Sequence, residues 1–528
     1  MTSAMKTNIF VHDNPLVDVL IQTLARSPET FQPEIMAIDE MYSYVFNQLE
    51  DKNSHRALTY YYTMGRAILD TVKQLVDWHF GGFEAVDSFL DFACGYGRFT
   101  RFLIQEIPPE KIWVSDIYKK AVKFQSEYFG VQGIYSTSLP EDYQVDRSFD
   151  VIMASSFFSD MPATTFEGWM QKIYDLKSRR GLLLFSVLDM ELLDPHIRRS
   201  ETGLVFSPDS ESQSLDKQEY GTTWVTEEYV RRILDQISDG NAEITRIPKG
   251  LNRYQDLYAV SDRSVASPNP LAFYHHPEGK IDYCYIQPNG EVRLSGWAID
   301  FNPGVTLEIQ LWSDSRLIGV YPCSEERPDI VAHYQQPDFL LSGWSCVLSS
   351  DQISPQDILI IKIVSSKGLQ AIIEGDRLVA ISSRRNWDIQ LSTTRQQLTQ
   401  TQAQLTATVD QYQSQITQYQ SQIDQYQSQI AQYQSQIDQY KQQIAQYQSQ
   451  IDQYQARKFE TEAEIGRYQT EYLAQKSEWE HLQSQMQIMS HQLDTLENRI
   501  QAMESSKFWK LRTKWFKLKR VLGLPVNE

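Results

Sequence analysis

An isoleucine recurring every seven residues from Ile416 to Ile451 restricts this chain more tightly than any other feature. Ile416, Ile423, Ile430, Ile437, Ile444 and Ile451 share one phase, and Tyr412, Tyr419, Tyr426, Tyr433, Tyr440, Tyr447 and Tyr454 share a second. The alternating three- and four-residue spacing is that of a coiled-coil seam, with Ile at a and Tyr at d. Leu398, Leu405 and Val409 carry the register upstream. Ile465, Tyr468, Leu482, Met486, Met489, Leu493, Leu496 and Ile500 carry it downstream, with local weakening at Lys458 and Thr461. The proline-free stretch 388–504 therefore predicts a long helical rod, about 170 Å at a rise of 1.5 Å per residue. A disordered Gln/Tyr tract is the alternative, but disorder has no need of a seven-residue phase. Tyrosine at d specifies strand number weakly, so two, three or four strands stay open within an expected homo-oligomer.

The remaining bulk properties narrow the class. A length of 528 residues is too great for one core and suggests three or four domains. A formal charge of −19 opposes binding to phosphate backbones, so no nucleic acid partner is expected. Cys94, Cys284, Cys323 and Cys346 lie far apart, without CxxC or histidine at ligand spacing, which argues against a disulfide framework and against a metal site. No basic start followed by an apolar run opens the sequence, and nowhere do 18 apolar residues run together. The expectation is a cytoplasmic protein, soluble or peripheral on the inner face of the plasma membrane.

Composition divides the chain into an N-terminal helical region of a head (1–80), an alternating α/β stretch (81–262), a polar linker (261–270), a strand-rich module (271–382), the heptads (388–504) and a basic tail (505–528). Within the α/β stretch, the apolar strand Phe89–Phe92 runs into Ala93-Cys94-Gly95-Tyr96-Gly97, and a helix-like pattern follows at Phe99, Phe102 and Leu103. Two glycines here remove Cβ atoms where a backbone would approach a ligand. A dinucleotide fingerprint would want a third glycine, and Thr100 stands in its place. The next strand ends in Asp116, where a carboxylate can accept both hydroxyls of a ribose.

This pair of features resembles motifs I and II of class I S-adenosylmethionine-dependent methyltransferases. The order continues with Ser148–Ala154, similar to that family's fourth strand, and Gly181–Ser186, similar to its fifth. The wording DFACGYGRFTRFL is similar to bacterial members with DFGCGYGR, in layouts that modify O-antigen and other polysaccharides. The resemblance covers residues 55–262 and implies a Rossmann-like α/β domain using S-adenosyl-L-methionine. It implies that Asp91, Ala93, Gly95 and Gly97 surround the methionine moiety, that Asp116 holds the ribose and Ile117 flanks adenine. Ser155 and Ser156 would line the floor near the sulfonium. Two departures stand out. Ala93 takes the place of a common glycine, and the loop Ser136–Pro140 lacks the acid that often binds the adenine amine.

Methyl transfer from a sulfonium needs alignment, and a base if the acceptor is a hydroxyl. Such a base has no spacing rule. The insertion Asp189–Gly221 follows the fifth strand, where the family builds its acceptor site, and offers His196, Glu211, Asp216 and Tyr220. His196 can titrate near neutrality, or be an ordinary surface histidine. Asp160 either orients the acceptor or caps the helix starting near Ala163. Arg66 either pairs with the methionine carboxylate or is solvated.

Residues 280–300 alternate around Pro288-Asn-Gly290, a hairpin signal, and a second hairpin turns at Ser313–Arg316. With Asp357–Val364 and Leu369–Ile373 this gives six or seven short strands, hence a small β-sandwich. Gly296–Asp300, Arg327–Val331 and Ser342–Trp344 resemble elements of β modules appended to bacterial glycosyltransferases, although Trp297 and Trp344 read first as core residues. In the tail, Phe508, Leu511, Trp515, Leu518 and Leu522 fall on one helical face among six lysines and arginines from Lys510 to Arg520. That pattern suits an anionic lipid surface; a partner helix or RNA is the alternative.

Together these readings give a multidomain chain: a class I methyltransferase head, a β-sandwich, and a coiled coil ending in an amphipathic helix. The expected function is methylation of a sugar in a cell-surface glycan or its lipid-linked precursor. The alternative is a catalytically inactive methyltransferase-like scaffold that tethers a glycan-assembly complex at the membrane.

Overall fold

The computed structural model describes residues 9–10, 14–49, 51–194, 202–208, 215, 218–267, 269–429, 434–505 and 507–523. Two compact units result, one formed by 1–383 with 490–528 and the other by 384–489. His196, Glu211, Asp216, Ile430 and Tyr433 lie outside the described residues.

The head begins with α1 (Pro15–Leu24), α2 (Glu40–Gln48) and the long α3 (Ser54–Phe80). Each start is fixed by a side-chain cap: Asn14, Asp39 and Asn53 accept backbone N–H groups of the following turn. Gly81, at φ +84°, ends α3 in a left-handed cap. The sheet then follows with β1 (Phe89–Phe92), the short α4 (Thr100–Leu103), β2 (Ile112–Asp116), α5 (Lys119–Tyr128), β3 (Gln132–Tyr135), β4 (Phe149–Ala154), α6 (Ala163–Asp175) and β5 (Lys177–Asp189). Beyond it come β6 (Leu204–Ser207), β7 (Thr222–Val225), α7 (Glu227–Ile237), β8 (Ala242–Leu251) and β9 (Gln255–Asp262).

Strand order is β8-β9-β5-β4-β1-β2-β3, and β6 with β7 adds a ribbon beside β5. The strands from β5 to β3 are parallel, while β9 joins β5 antiparallel. All four residues of β1 are buried, as a strand covered on both faces requires. The chain leaves β1 toward β2 and β3, then returns to β4 on the other side. That reversal opens a crevice beyond the carboxyl ends of β1 and β4, the place where open α/β sheets hold ligands.

The module after the linker contains β10 (Glu278–Ile286), β11 (Val292–Ile299), β12 (Leu307–Ser313), β13 (Arg316–Pro322), α8 (Pro328–Tyr334), β14 (Gly343–Leu348), β15 (Ile358–Ser365) and β16 (Gln370–Arg377). Three strands form one sheet, β10-β11-β14, and four the other, β13-β12-β15-β16. Ile281, Leu294 and Trp344 of the first sheet share a core with Ile309, Leu311 and Ile361 of the second. Both expected hairpins occur, with Gly290 at φ +84° and with Asp314 and Ser315 left-handed. Trp344 is a core residue, and half-buried Trp297 packs edge-on to Tyr334. The module lies against the head: Thr59 of α3 donates to the Gly375 carbonyl at 3.2 Å, and Lys362 donates to the Thr23 carbonyl at 3.1 Å.

The helical region starts earlier than its heptads. Strand β16 passes directly into α9 (Leu378–Gln429), so helix begins ten residues before the expected 388 boundary, because Leu378 and Ile381 are buried in the module core. Helix α10 (Gln434–Ser505) and α11 (Lys507–Val521) complete the chain. The last turns of α10 belong to the head unit: Gln492 and Thr495 are buried, and Arg499 lies 3.9 Å from Glu34. No helix among the described residues is long and apolar enough to cross a membrane.

Candidate functional site

The turn after β1 is built from unusual backbone. Ala93, Gly95 and Gly97 all have positive φ, at +57°, +52° and +80°. For alanine that conformation costs roughly 1–2 kcal/mol, which is why glycine is the easier residue at position 93. The two glycines serve different ends. A Cβ on Gly95 would meet nothing within 4 Å and would project into open space. A Cβ on Gly97 would lie 2.3 Å from the Phe129 ring and 3.1 Å from Gln125. Gly97 is therefore demanded by packing against α5 and its end, whereas the Cβ direction of Gly95 is open.

Two carboxylates frame this turn. Asp116, at the end of β2, accepts the Gly95 N–H through Oδ2 and the Tyr118 N–H through Oδ1, each at 2.8 Å. The Ile117 N–H also bonds to this carboxylate, and of its roughly four lone-pair sites about one stays open to a hydroxyl donor, with others shareable. Burial pushes Asp116 up to about 6 against these backbone bonds. Asp91, on β1, is buried deeper and pushed up to about 7, partly offset by the hydroxyl of Thr100 at 2.8 Å. Thr100, which replaces the third glycine of a dinucleotide motif, thus holds Asp91 in place. Ile117, next to Asp116, is half-buried.

At the end of β4 the two serines part. Ser155 is half-buried. Ser156, at φ +55°, is bound into the neighbouring strands: its N–H donates to Ser186 Oγ at 2.8 Å and its hydroxyl to Gln255 at 3.1 Å. Its hydroxyl is thus engaged away from the turn.

The insertion after β5 returns along the same loop. Gly221 N–H donates to the Asp160 carbonyl at 2.7 Å, and Thr223 N–H to the Ser159 carbonyl at 2.6 Å. These bonds bring Tyr220 close to Asp160. Burial pushes its phenol up to about 12, and the charges of Asp116, Tyr118 and Asp160 add to the effect. A phenol so raised stays neutral at pH 7 and can position a hydroxyl by hydrogen bonding; it is a poor proton acceptor. Asp160 does not cap α6, since the cap position is Pro162 and carries no side-chain bond.

Arg66 lies elsewhere. Its guanidinium donates to Asp70 at 2.9 Å and to the Leu24 carbonyl at 2.9 Å. It lines a polar cavity with Arg26, Lys73 and Gln370 that includes none of the donor residues named above. Buried Asp70, four residues along the same helix, satisfies it locally.

The arginine that does matter here was not evident in the sequence. Arg101 is fully buried and donates to the carbonyls of Gly97, Pro33, Glu34 and Tyr96, at 3.0, 2.9, 3.2 and 3.4 Å. Its guanidinium lies over the rings of Tyr61, Tyr62 and Phe129. One side chain thereby clamps the N-terminal segment onto the glycine turn. Only its place one turn after Gly97, among aromatic residues, hinted at this.

Known proteins bear on this geometry. Residues 90–183 match the family described as Methyltransferase domain. The malonyl-[acyl-carrier protein] O-methyltransferase of Calditerrivibrio nitroreducens is 24% identical over 141 residues, which are 27% of this chain and 52% of that protein. The chain thus spans about half the length of this curated relative. Among solved structures, an S-adenosylmethionine-dependent methyltransferase from Clostridium acetobutylicum aligns at TM-score 0.29 and 14% identity, covering 42% of this chain and 97% of that one. The plantazolicin methyltransferase BamL, with a triazolic desmethylPZN analog and SAH, aligns at TM-score 0.29 and 11% identity, covering 43% and 96%. Residues 90–183 thus resemble a methyltransferase domain, set within a Rossmann-like sheet.

Proposed function

We propose that this protein is an S-adenosylmethionine-dependent methyltransferase acting on a sugar hydroxyl of a cell-surface glycan or its lipid-linked precursor. The observation that carries the enzymatic part is the open face of Gly95 flanked by the buried carboxyls of Asp91 and Asp116. The residues fit the donor: carboxylates suit ribose hydroxyls and a methionine ammonium, and a missing Cβ leaves space for the chain between them. S-adenosylmethionine supplies an activated methyl group on sulfur.

In this reading Asp116 accepts the ribose hydroxyls, Asp91 faces the ammonium, and Ile117 and Ser155 line the walls. Ala93 and Gly95 form the rim of the turn, with Gly97 and Ser156 as its supports. Tyr220 and Asp160 stand on the acceptor side, where the neutral phenol orients the incoming hydroxyl for in-line attack. His196 and Glu211 stay candidates for the base that takes its proton.

The glycan acceptor is supported by the sequence resemblance and by the company the head keeps: a β-sandwich, a heptad rod and a basic amphipathic helix. Oligomers through the Ile/Tyr seam would present several tails at once, and linked sites bind by effective concentration. An anionic inner membrane surface is the location this combination favours.

Calorimetric titration of the full chain with S-adenosylmethionine tests the reading. Binding that Asp116→Ala weakens about 100-fold or more is expected, since each bond to a charged group contributes roughly 1.5–3 kcal/mol. Absence of binding in the wild type would defeat the enzyme and leave the tethering scaffold.

A further inference from the structure

The crevice has a second wall, supplied by the N-terminal segment. Asp39 is 2% exposed and accepts the Tyr61 phenol at 2.6 Å, together with the N–H groups of Met41 and Tyr42. Arg101 holds the carbonyls of Pro33 and Glu34 just upstream. Cap and clamp together fix the first residue of α2, Glu40, against the end of β2. There Tyr118 Oη donates to Glu40 Oε2 at 3.1 Å across 78 residues of sequence, while Tyr118 N–H donates to Asp116 at 2.8 Å.

This arrangement sets two carboxylates on either end of one tyrosine. The charge of Glu40 helps to hold Asp116 above the usual carboxylate range, although burial is the larger cause. Asp39, Asp116 and Glu40 also all act on the phenol of Tyr96, which belongs to the glycine turn itself. The charges of Arg101 and Arg98 offset that of Asp39, and neither is a leading influence on Asp116. Like charges brought together in a half-buried crevice repel, and a folded chain gains nothing from that alone. The repulsion is relieved when groups carrying shareable protons sit between the carboxylates. Carboxyls perturbed by burial and a neighbouring charge cluster at functional sites.

Resting on the donor reading above, we infer that Glu40 is a donor-binding residue that joins Asp116 at the ribose end of S-adenosylmethionine. The Tyr118–Glu40 bond latches α2 beside that end. The adenosyl hydroxyls are the groups it would accept, and they are common to the donor and to its spent form, S-adenosylhomocysteine.

Full-length wild type, Glu40→Gln, Tyr118→Phe and Asp116→Ala are titrated with both compounds, and each is melted without ligand. Glu40→Gln is expected to weaken both compounds alike, by about tenfold, without lowering the ligand-free melting temperature, because a repelling charge is removed. The pH midpoint of donor binding should also move down as Asp116 loses its neighbour, an effect a purely structural residue would not produce. Tyr118→Phe should cause a smaller loss of affinity. Equal affinity and an unmoved midpoint in Glu40→Gln, with Asp116→Ala still defective, would overturn the role of Glu40 alone. A lower ligand-free melting temperature with unchanged affinity would make it a structural latch. Failure of the wild type to bind either compound would remove the donor reading and this inference together.

Discussion

In the head, Phe89, Leu90 and Phe149 are fully buried, whereas in the long helices Ile416 is 58% exposed and Tyr454 72% exposed. The residue types are similar and their circumstances opposite. Burying a side chain of this size contributes about 1.5–3 kcal/mol, and the sheet collects that gain within one chain. The heptad positions collect none of it alone. A helix whose apolar stripe meets only water depends on propensity, which gives little. The contrast teaches that one part of the molecule buries its apolar side chains within a single chain, while the other leaves them exposed.

The widest test of this contrast removes residues 505–528. Exposed Trp515 and Leu518 and their basic neighbours should account for nearly all attachment to phosphatidylserine-containing vesicles, at roughly 1 kcal/mol per basic residue near the surface. Cosedimentation should vanish while affinity for S-adenosylmethionine stays as in the full chain. Retention on the vesicles would assign the attachment to the head and erase the distinction.

A second test attacks the seam. Ile444→Asp with Ile451→Asp places charges at two a positions, and sedimentation velocity should then report the 61.4 kDa monomer in place of an oligomer. The melting transition of the head should move by less than about 2 °C, as expected for distant sites. A wild type that is already monomeric would contradict the seam.

The smallest effect sharpens the comparison from the head's side. Asp91 and Asp116 are raised to about 7 and about 6 from an ordinary 3.8. Both therefore bind protons more tightly when folded. Their contribution to stability is full below about 4 and is lost as pH rises through 6 and 7. The head's melting temperature should climb a few degrees between pH 8 and pH 5, and Asp91→Asn should flatten that slope. Helicity of the long helices, measured by circular dichroism, should not follow the same curve. A slope unchanged by Asp91→Asn would place the titration elsewhere.

The glycine turn and its two flanking carboxyls were legible because they are local. Asp91, Gly95 and Asp116 lie within 26 residues, and the strand–turn–helix pattern fixes their order. At Gly97 the pattern did not reveal that the missing Cβ makes room for the Phe129 ring. Arg66 drew notice as a partner for the methionine carboxylate, yet Asp70 one turn away was there to claim it. Arg101 and Glu40 stayed hidden because their partners lie about 70 and 78 residues distant. No periodicity reports a contact of that range. Heptad phase, in contrast, announces a helix well and its true start poorly, since Leu378 and Ile381 obey the core of the β-sandwich.

Near its end, α10 rests on the head through Gln492, Thr495 and Arg499, while Leu493 of the seam stays 66% exposed. The end of this helix thus meets its own chain through polar side chains and an ion pair, a contact that salt should loosen.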